Sequence, residues 1–433
     1  MGIKKFLTES RNIERDSYLW NMAGGMLMAF QSVIMLMILT RTVGLVEAGI
    51  FTIAYANANL FLTIGKYGMR YFQVSDVNAQ FSFTEYLSSR WITSAAMIAV
   101  SFAYVLYISG QNEYTVEKSL VIIWMCIFKV VDVVEDVFHG MYQQRGRLDI
   151  ASKAMTLRIT LTIIVFAIGV IILRNQLAAL MIATVFTTIL LVIFIKWTYS
   201  PYKAEKKTLD KGRLILLLKS CFPLFAGAFL SFYIGNAPKY AIDAILSDEL
   251  QACYGFIAMP VFVIGLLNNF IFNPMLFKMS CLWAERQMRP FLKRIFIQIG
   301  IIGMITGVCI LGAYILGVPV LSFMYNTDLS PYKSELLILL VGGGFLGLSG
   351  LLNAVITIIR FQKTIVWGYG LVAVLAFVLS ERIVRSYEMM GAAILYTILM
   401  GLLCVCFLIL FTAGILIEVK KSRQAEGAQK GIY

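Results

Sequence analysis

The feature that most constrains this chain is a succession of apolar runs, each long enough to cross a lipid bilayer. A helix needs roughly 20 apolar residues to traverse the hydrocarbon core. Twelve stretches qualify: 18–39, 45–64, 91–109, 119–138, 155–173, 177–196, 214–235, 252–277, 295–317, 334–358, 364–380 and 391–417. Ile163–Leu173 and Leu180–Ile195 carry no charge, and their hydroxyls are confined to Thr184, Thr187 and Thr188. Neither alternates apolar with polar residues, which excludes a transmembrane β-barrel. The composition agrees. Sixty per cent of the 433 residues are hydrophobic and 14% are charged, too little polar surface for a secreted domain, a disordered chain or an ordinary cytosolic enzyme. The expected fold is an all-α polytopic membrane protein of twelve transmembrane helices.

Orientation follows from lysine and arginine. With the N-terminus inside, 28 of the 37 fall in inner segments and seven in outer ones, the remaining two being Lys129 and Lys219. The fourfold bias places both termini in the cytoplasm and accounts for the net charge of +13 without a nucleic-acid partner. The cluster Lys203, Lys206, Lys207, Lys211 and Arg213 reads as a solvated inner loop beside the headgroups of membrane lipids. Trp20, Trp91, Trp197 and Trp367 sit near inner ends, as an interfacial belt does.

The chain also looks doubled. Ala48-Gly49-Ile50-Phe51 opens the second stretch and Tyr254-Gly255-Phe256-Ile257 the eighth, an offset of 206 residues that carries other early stretches near later ones. The expected organisation is therefore two pseudo-symmetric six-helix bundles around a central cavity, an N-terminal lobe over 1–205 and a C-terminal lobe over 206–433.

Seven cysteines without CxxC spacing and a single histidine give no basis for a metal site or disulfide framework. No Walker loop, HExxH or serine-nucleophile pattern occurs, so the chain is read as a non-enzyme without a cofactor. Its chemistry is expected where charge interrupts the apolar runs, because an ionisable group in mid-membrane is costly unless it is paired or faces a wet cavity. The fourth stretch breaks the rule most clearly, with Lys129, Asp132, Glu135, Asp136, His139 and Gln143. At 100° per residue, all of these but Glu135 share one face. Lys129 with Asp132, and Glu135 with His139, can form pairs within the helix. Yet three acids accompany one lysine, and crowded carboxylates suit a proton- or sodium-carrying site as well as a structural network. A second set is Arg41 and Lys239, each at the outer end of the first helix of a half, where two cations would compensate a phosphate or pyrophosphate. Lys219 lies near an inner end and can snorkel. Asn236, Asn268, Asn269, Asn273 and Asn353 suit hydrogen bonding between helices, with a minority, Asn236 foremost, available to line a glycan path.

Several of these residues belong to a familiar pattern. Leu39-Thr40-Arg41-Thr42-Val43-Gly44 followed by Glu47-Ala48-Gly49-Ile50-Phe51 resembles the first hairpin of bacterial polysaccharide flippases, the O-antigen and capsule repeat-unit exporters of the multidrug/oligosaccharidyl-lipid/polysaccharide (MOP) exporter superfamily. The His-Gly-x-Tyr-Gln-Gln-x-Gly-Arg run at 139–147, Pro223-Leu224, the segment Asn236–Asp243, Tyr254-Gly255 and Asn273-Pro274 extend the resemblance over essentially the whole chain. It implies two six-helix bundles that open alternately to each side of the bacterial cytoplasmic membrane. The implied cargo is an undecaprenyl-pyrophosphate-linked oligosaccharide repeat, handled alongside a polysaccharide polymerase and glycosyltransferases. Coupling to a proton or sodium gradient is implied as well. On this reading Arg41, Lys239 and, deeper in, Lys129 hold the pyrophosphate, Asn236 faces the sugar, and Asp132 and Asp136, with Glu135 and His139 beside them, exchange the coupling ion. Relatives that flip the peptidoglycan precursor usually have fourteen spans, which argues against that cargo. The multidrug exporters often carry an acid in their first helix, and 18–39 has none. The competing expectations are a drug or metabolite cation antiporter and a membrane scaffold for glycan-synthesis enzymes.

Overall fold

The computed structural model describes residues 2–76, 80–202 and 210–430. These are almost wholly helical, with no β-strand among the described residues. A short helix, α1 (Ile3–Thr8), precedes α2 (Ile13–Thr42), α3 (Leu45–Lys66), α4 (Met69–Ser75), α5 (Phe83–Gln111), α6 (Val116–Gln144), α7 (Leu148–Leu173) and α8 (Gln176–Tyr199). Then come α9 (Lys211–Ile245), α10 (Asp248–Ala284), α11 (Met288–Gly312), α12 (Val318–Tyr325), α13 (Lys333–Ile358) and α14 (Ile365–Lys430). A π-helical turn, Ala313–Gly317, joins α11 to α12. The long run of α14 contains two helices that meet at Glu388, whose backbone is non-helical (φ 46°).

All twelve apolar stretches fall within these helical segments. By length and composition, nine helical stretches among the described residues can cross a membrane. α6 is absent from the nine because its charges exceed what such a stretch tolerates, and Ile365–Ile417 enters as one stretch although it holds both helices around Glu388. The protein is thus an all-α, multi-pass membrane protein. Side chains such as Ile172, Phe323 and Phe377 stand 72–78% exposed, as lipid-facing positions do when the bilayer is the solvent.

Contacts divide the chain into two compact units, Met1–Phe232 and Tyr233–Tyr433. The change of unit falls inside α9, because the first half of that helix packs on earlier elements of the first unit. Leu217 and Cys221 join the cluster of Met69, Tyr86, Val137 and Met141. The Phe225 ring lies 4.7 Å from that of Tyr67 and nearly parallel to it. Gly68 follows α3 in the left-handed region (φ +64°), and a Cβ there would meet Leu224 at 2.6 Å. Only glycine meets both demands. Arg213, expected in the inner loop, lies in α9 and pairs with Glu85, itself part of a capping box with Ser82 at the start of α5. Lys203, Lys206 and Lys207 of the same basic cluster lie outside the described residues.

Between α6 and α7, Arg147 ties three segments of the first unit together. Its guanidinium donates to both carboxylate oxygens of Asp149 (2.9 and 3.0 Å), to the Thr8 carbonyl (2.8 Å) and to the Tyr202 hydroxyl (3.2 Å). The hydrogen bonds to Asp149 hold the Arg147 pKa above its ordinary value.

Candidate transport site

The polar stripe of α6 faces protein. Lys129, Asp132, Glu135, Asp136 and His139 are all buried, at 2–6% exposure, and they sit within one network of the first unit. Arg158 from α7 is its centre. One of its terminal nitrogens lies 2.7 Å from both Asp132 and Glu135, its Nε donates to Glu135 at 2.8 Å, and its other terminal nitrogen reaches the Thr187 hydroxyl of α8 at 3.0 Å. Lys129 sits 3.1 Å from the far oxygen of Asp132. It also donates to Tyr55 on α3 (3.3 Å) and Gln31 on α2 (3.5 Å), and lies 4.7 Å from the centre of the Tyr55 ring. Asp136 has its own cations. Arg90 of α5 approaches at 2.9 Å and Arg70 of α4 at 3.7 Å. Arg90 further donates to the carbonyls of Gly65 (2.9 Å) and Lys66 (2.7 Å) at the end of α3, satisfying acceptors that a helix terminus leaves open. His139 Nε2 stands 3.7 Å from Glu135.

Three buried carboxylates therefore face three buried cations, Lys129, Arg90 and Arg158, with Arg70 added at 29% side-chain exposure. The like-charge crowding that the sequence suggests between Asp132 and Asp136 is relieved by arginines from neighbouring helices. Arg90 and Arg158 are among the 28 lysines and arginines that the sequence places in inner segments. In the structure they are 0% and 1% exposed. The helix that carries Arg90 begins at Phe83 rather than at 91, which draws it two turns into the bundle. Arg158, three residues inside its apolar stretch, was the visible signal. Removing one partner from a buried pair typically costs about 3–5 kcal/mol, because the other charge is left stranded. The network thus fastens α3, α5, α6, α7 and α8 to one another.

Lys239 behaves differently. The sequence places it at the end of the first helix of the second half, beyond the apolar run that stops at 235, and α9 continues to Ile245 and carries it inside the helix. Lys239 is half-buried and makes no hydrogen bond or ion pair among the described residues. Asn236 is also half-buried and lies one turn earlier on the same side of α9. Arg41 is exposed in the last turn of α2. It belongs to the first unit and Lys239 to the second, so their expected pairing is not part of either unit's internal geometry. Asn353 donates to the Tyr369 hydroxyl at 3.3 Å, joining α13 to α14 as an interhelical bond. The side chains of Asn268, Asn269 and Asn273 lie outside the described residues.

Other buried polar groups without a hydrogen-bond partner among the described residues occur in both units, the amide of Asn57 in the first among them. Gln251 and Gln298 are fully buried, and neither amide makes a hydrogen bond among the described residues. The same holds for the Tyr325 hydroxyl, whose ring stacks on Phe256 at 4.0 Å, and for one oxygen of Glu335.

Comparison with known proteins matches this geometry to a family. The model of a family described as "Polysaccharide biosynthesis protein" matches residues 15–280. The capsular polysaccharide biosynthesis protein CapF of Staphylococcus aureus is 24% identical over 330 residues, covering 74% of this chain and 80% of that protein. Among solved structures, an inward-facing multidrug resistance MATE family transporter of the MOP superfamily superposes with a TM-score of 0.70 at 13% identity, over 91% of this chain and 96% of its own. The lipid II flippase MurJ, in an inward closed conformation, superposes with a TM-score of 0.69 at 14% identity, over 89% and 86%. The chain belongs to the polysaccharide biosynthesis protein family and shares the fold of these two solved proteins.

Proposed function

We propose that this protein is a flippase. On this reading it moves undecaprenyl-pyrophosphate-linked oligosaccharide repeat units from the inner to the outer leaflet of the bacterial cytoplasmic membrane by alternating access, coupled to a proton or sodium gradient. Both termini then lie in the cytoplasm, in keeping with the distribution of lysine and arginine. The cargo combines a lipid tail that stays in the bilayer, a pyrophosphate and a polar sugar head. Family membership supports the glycan, and Lys239 is the observation that carries the mechanism. A half-buried ammonium on a spanning helix, without a counter-ion of its own among the described residues, is a position that an anion would complete. It suits an anionic lipid pyrophosphate and repels a cationic drug. Arg41, at the end of α2, is a second cation proposed to hold the pyrophosphate.

Lys129, Asp132 and Asp136 enter this reading with a condition. Each is held by partners in the structure, so exchange of a proton or sodium at Asp132 or Asp136 requires Arg158 or Arg90 to withdraw during the cycle. Glu135 and His139 would move with them.

The test is depletion of the protein in its host, with lipid-linked oligosaccharide assayed on each leaflet and surface polysaccharide assayed alongside. The expected result is accumulation of repeat units facing the cytoplasm and loss of the surface polymer. Unchanged distributions on both leaflets would remove the flippase reading.

A further inference from the structure

The ammonium of Lys129 is enclosed more completely than a salt bridge requires. An ammonium has three donors and no acceptor, and each donor here has its own oxygen. Asp132 Oδ2 lies at 3.1 Å, the Tyr55 hydroxyl at 3.3 Å and Gln31 Oε1 at 3.5 Å. These oxygens come from three helices, α6, α3 and α2. Two aromatic faces complete the enclosure. The ring centres of Tyr55 and Phe128 stand 4.7 and 5.6 Å from the nitrogen, within the distance at which a ring attracts a cation. Gln31, Phe128, Lys129 and Asp132 are all buried, and Tyr55, half-buried, forms the open edge of the set.

A carboxylate oxygen, a hydroxyl, an amide oxygen and two ring faces make a donor set for a cation, and the spacing decides which. Magnesium and calcium need oxygens at about 2.0–2.6 Å. A set opened to 3.1–3.5 Å suits a large monovalent ion such as an alkylammonium or potassium. We propose that Gln31, Tyr55, Phe128 and Asp132 form a monovalent-cation site whose occupant is the chain's own Lys129 ammonium, and that the site takes a free cation of that size once this tether is cut back. Charge supplies the driving force. Arg158 lies 2.7 Å from both Asp132 and Glu135, so Arg158 and Lys129 together balance those two carboxylates, while Asp136 is matched separately by Arg90 and Arg70. Without Lys129 the group keeps one buried negative charge uncompensated, which favours any cation that fits. Shape supplies the selectivity. Cutting Lys129 back to Cβ removes three carbons and a nitrogen, the heavy atoms of propylammonium, and the cavity persists because the surrounding helices relax only in part. The inference stands apart from the flippase reading, since its readout is unfolding and not transport. It also bears on coupling: while the ammonium is seated, Asp132 Oδ2 has no place for sodium from solution.

The test is thermal unfolding of the full-length protein in detergent at equal ionic strength. Choline, potassium or propylammonium is the cation, and 1-propanol serves as a neutral molecule of the same shape. Each shift is read against wild type, whose site is already filled. Lys129→Ala is expected to unfold below wild type in choline, to gain about 2–4 °C with propylammonium, and to gain nothing with propanol. Lys129→Met fills most of the vacated space and is expected to gain nothing from propylammonium. No gain in Lys129→Ala, or an equal gain in wild type or Lys129→Met, overturns the site. If Lys129→Ala does not accumulate in the membrane, the exchange of Gln31→Lys with Lys129→Gln is read instead. It keeps the same groups and delivers the ammonium from α2. This variant is expected to accumulate and unfold as wild type does, and its failure to accumulate overturns the proposal.

Discussion

The two units of this chain treat buried charge in opposite ways. In the first, three carboxylates of α6 are matched by Lys129, Arg158 and Arg90, and the surplus terminal donors of the arginines end on carbonyls or hydroxyls, while Arg90 Nε has no partner among the described residues. In the second, Lys239 has no counter-ion among the described residues. Uncharged buried groups without a hydrogen-bond partner among the described residues occur in both units, the amide of Asn57 in the first and those of Gln251 and Gln298 in the second. A closed network spends its charges on holding helices together. An open set keeps them available to something that arrives. On the proposed function, the closed network fastens the first unit and Lys239 meets the cargo, although the first unit contains more charge. On that reading the density of ionisable residues, which draws attention to α6 in the sequence, is a poorer guide to where a ligand binds than a charge that the fold leaves uncompensated.

The comparison can be broken most decisively at Arg158. Arg158→Met strands Asp132 and Glu135 in a buried site, and the expected loss of stability is about 3–5 kcal/mol. The fall is to be read as thermal unfolding in detergent and as reduced accumulation in the membrane. A variant as stable as wild type would mean that the network does not fasten the bundle. Gly140→Ala probes the same region by packing alone. A Cβ there would meet Gln73 Oε1 at 2.3 Å and Gln73 Cδ at 2.8 Å. That amide is buried and donates to the Val137 carbonyl at 3.3 Å, so its room to move is small. Overpacking of this kind costs about 1–3 kcal/mol, again measured by thermal unfolding. The smallest effect is expected in the second unit. Gln298→Leu removes an amide that has no hydrogen-bond partner among the described residues, and the expected change is neutral or stabilising by about 1 kcal/mol. A loss as large as that of Arg158→Met would place Gln298 in a structural network of the second unit and contradict its reading as an unpartnered amide.

How much of this was legible beforehand depends on which interactions are local. Every apolar stretch became helix, because hydrophobic length is written in consecutive residues. The pairing of Lys129 with Asp132, three residues apart on one helix, was readable for the same reason. Arg90 and Arg158 were not readable as partners of α6, since they approach from α5 and α7 and sit where charge ordinarily marks an inner loop. Lys239 is legible as a cation at a helix end, but its place inside the helix is not, since the apolar run stops at 235. A hydropathy pattern ends where charge begins, whereas α9 continues ten residues past 235 to Ile245.

The central claim is that the open cation of the second unit contacts the cargo while the closed network of the first holds the fold. The most direct test is Lys239→Met, with flipping of a lipid-linked oligosaccharide in proteoliposomes measured beside thermal unfolding of the same preparation. The account predicts a protein that unfolds at or above the wild-type temperature, since an uncompensated half-buried charge has been removed, and that flips at least about tenfold more slowly, the equivalent of about 1.4 kcal/mol of lost contact to the anion. Flipping at the wild-type rate would contradict it.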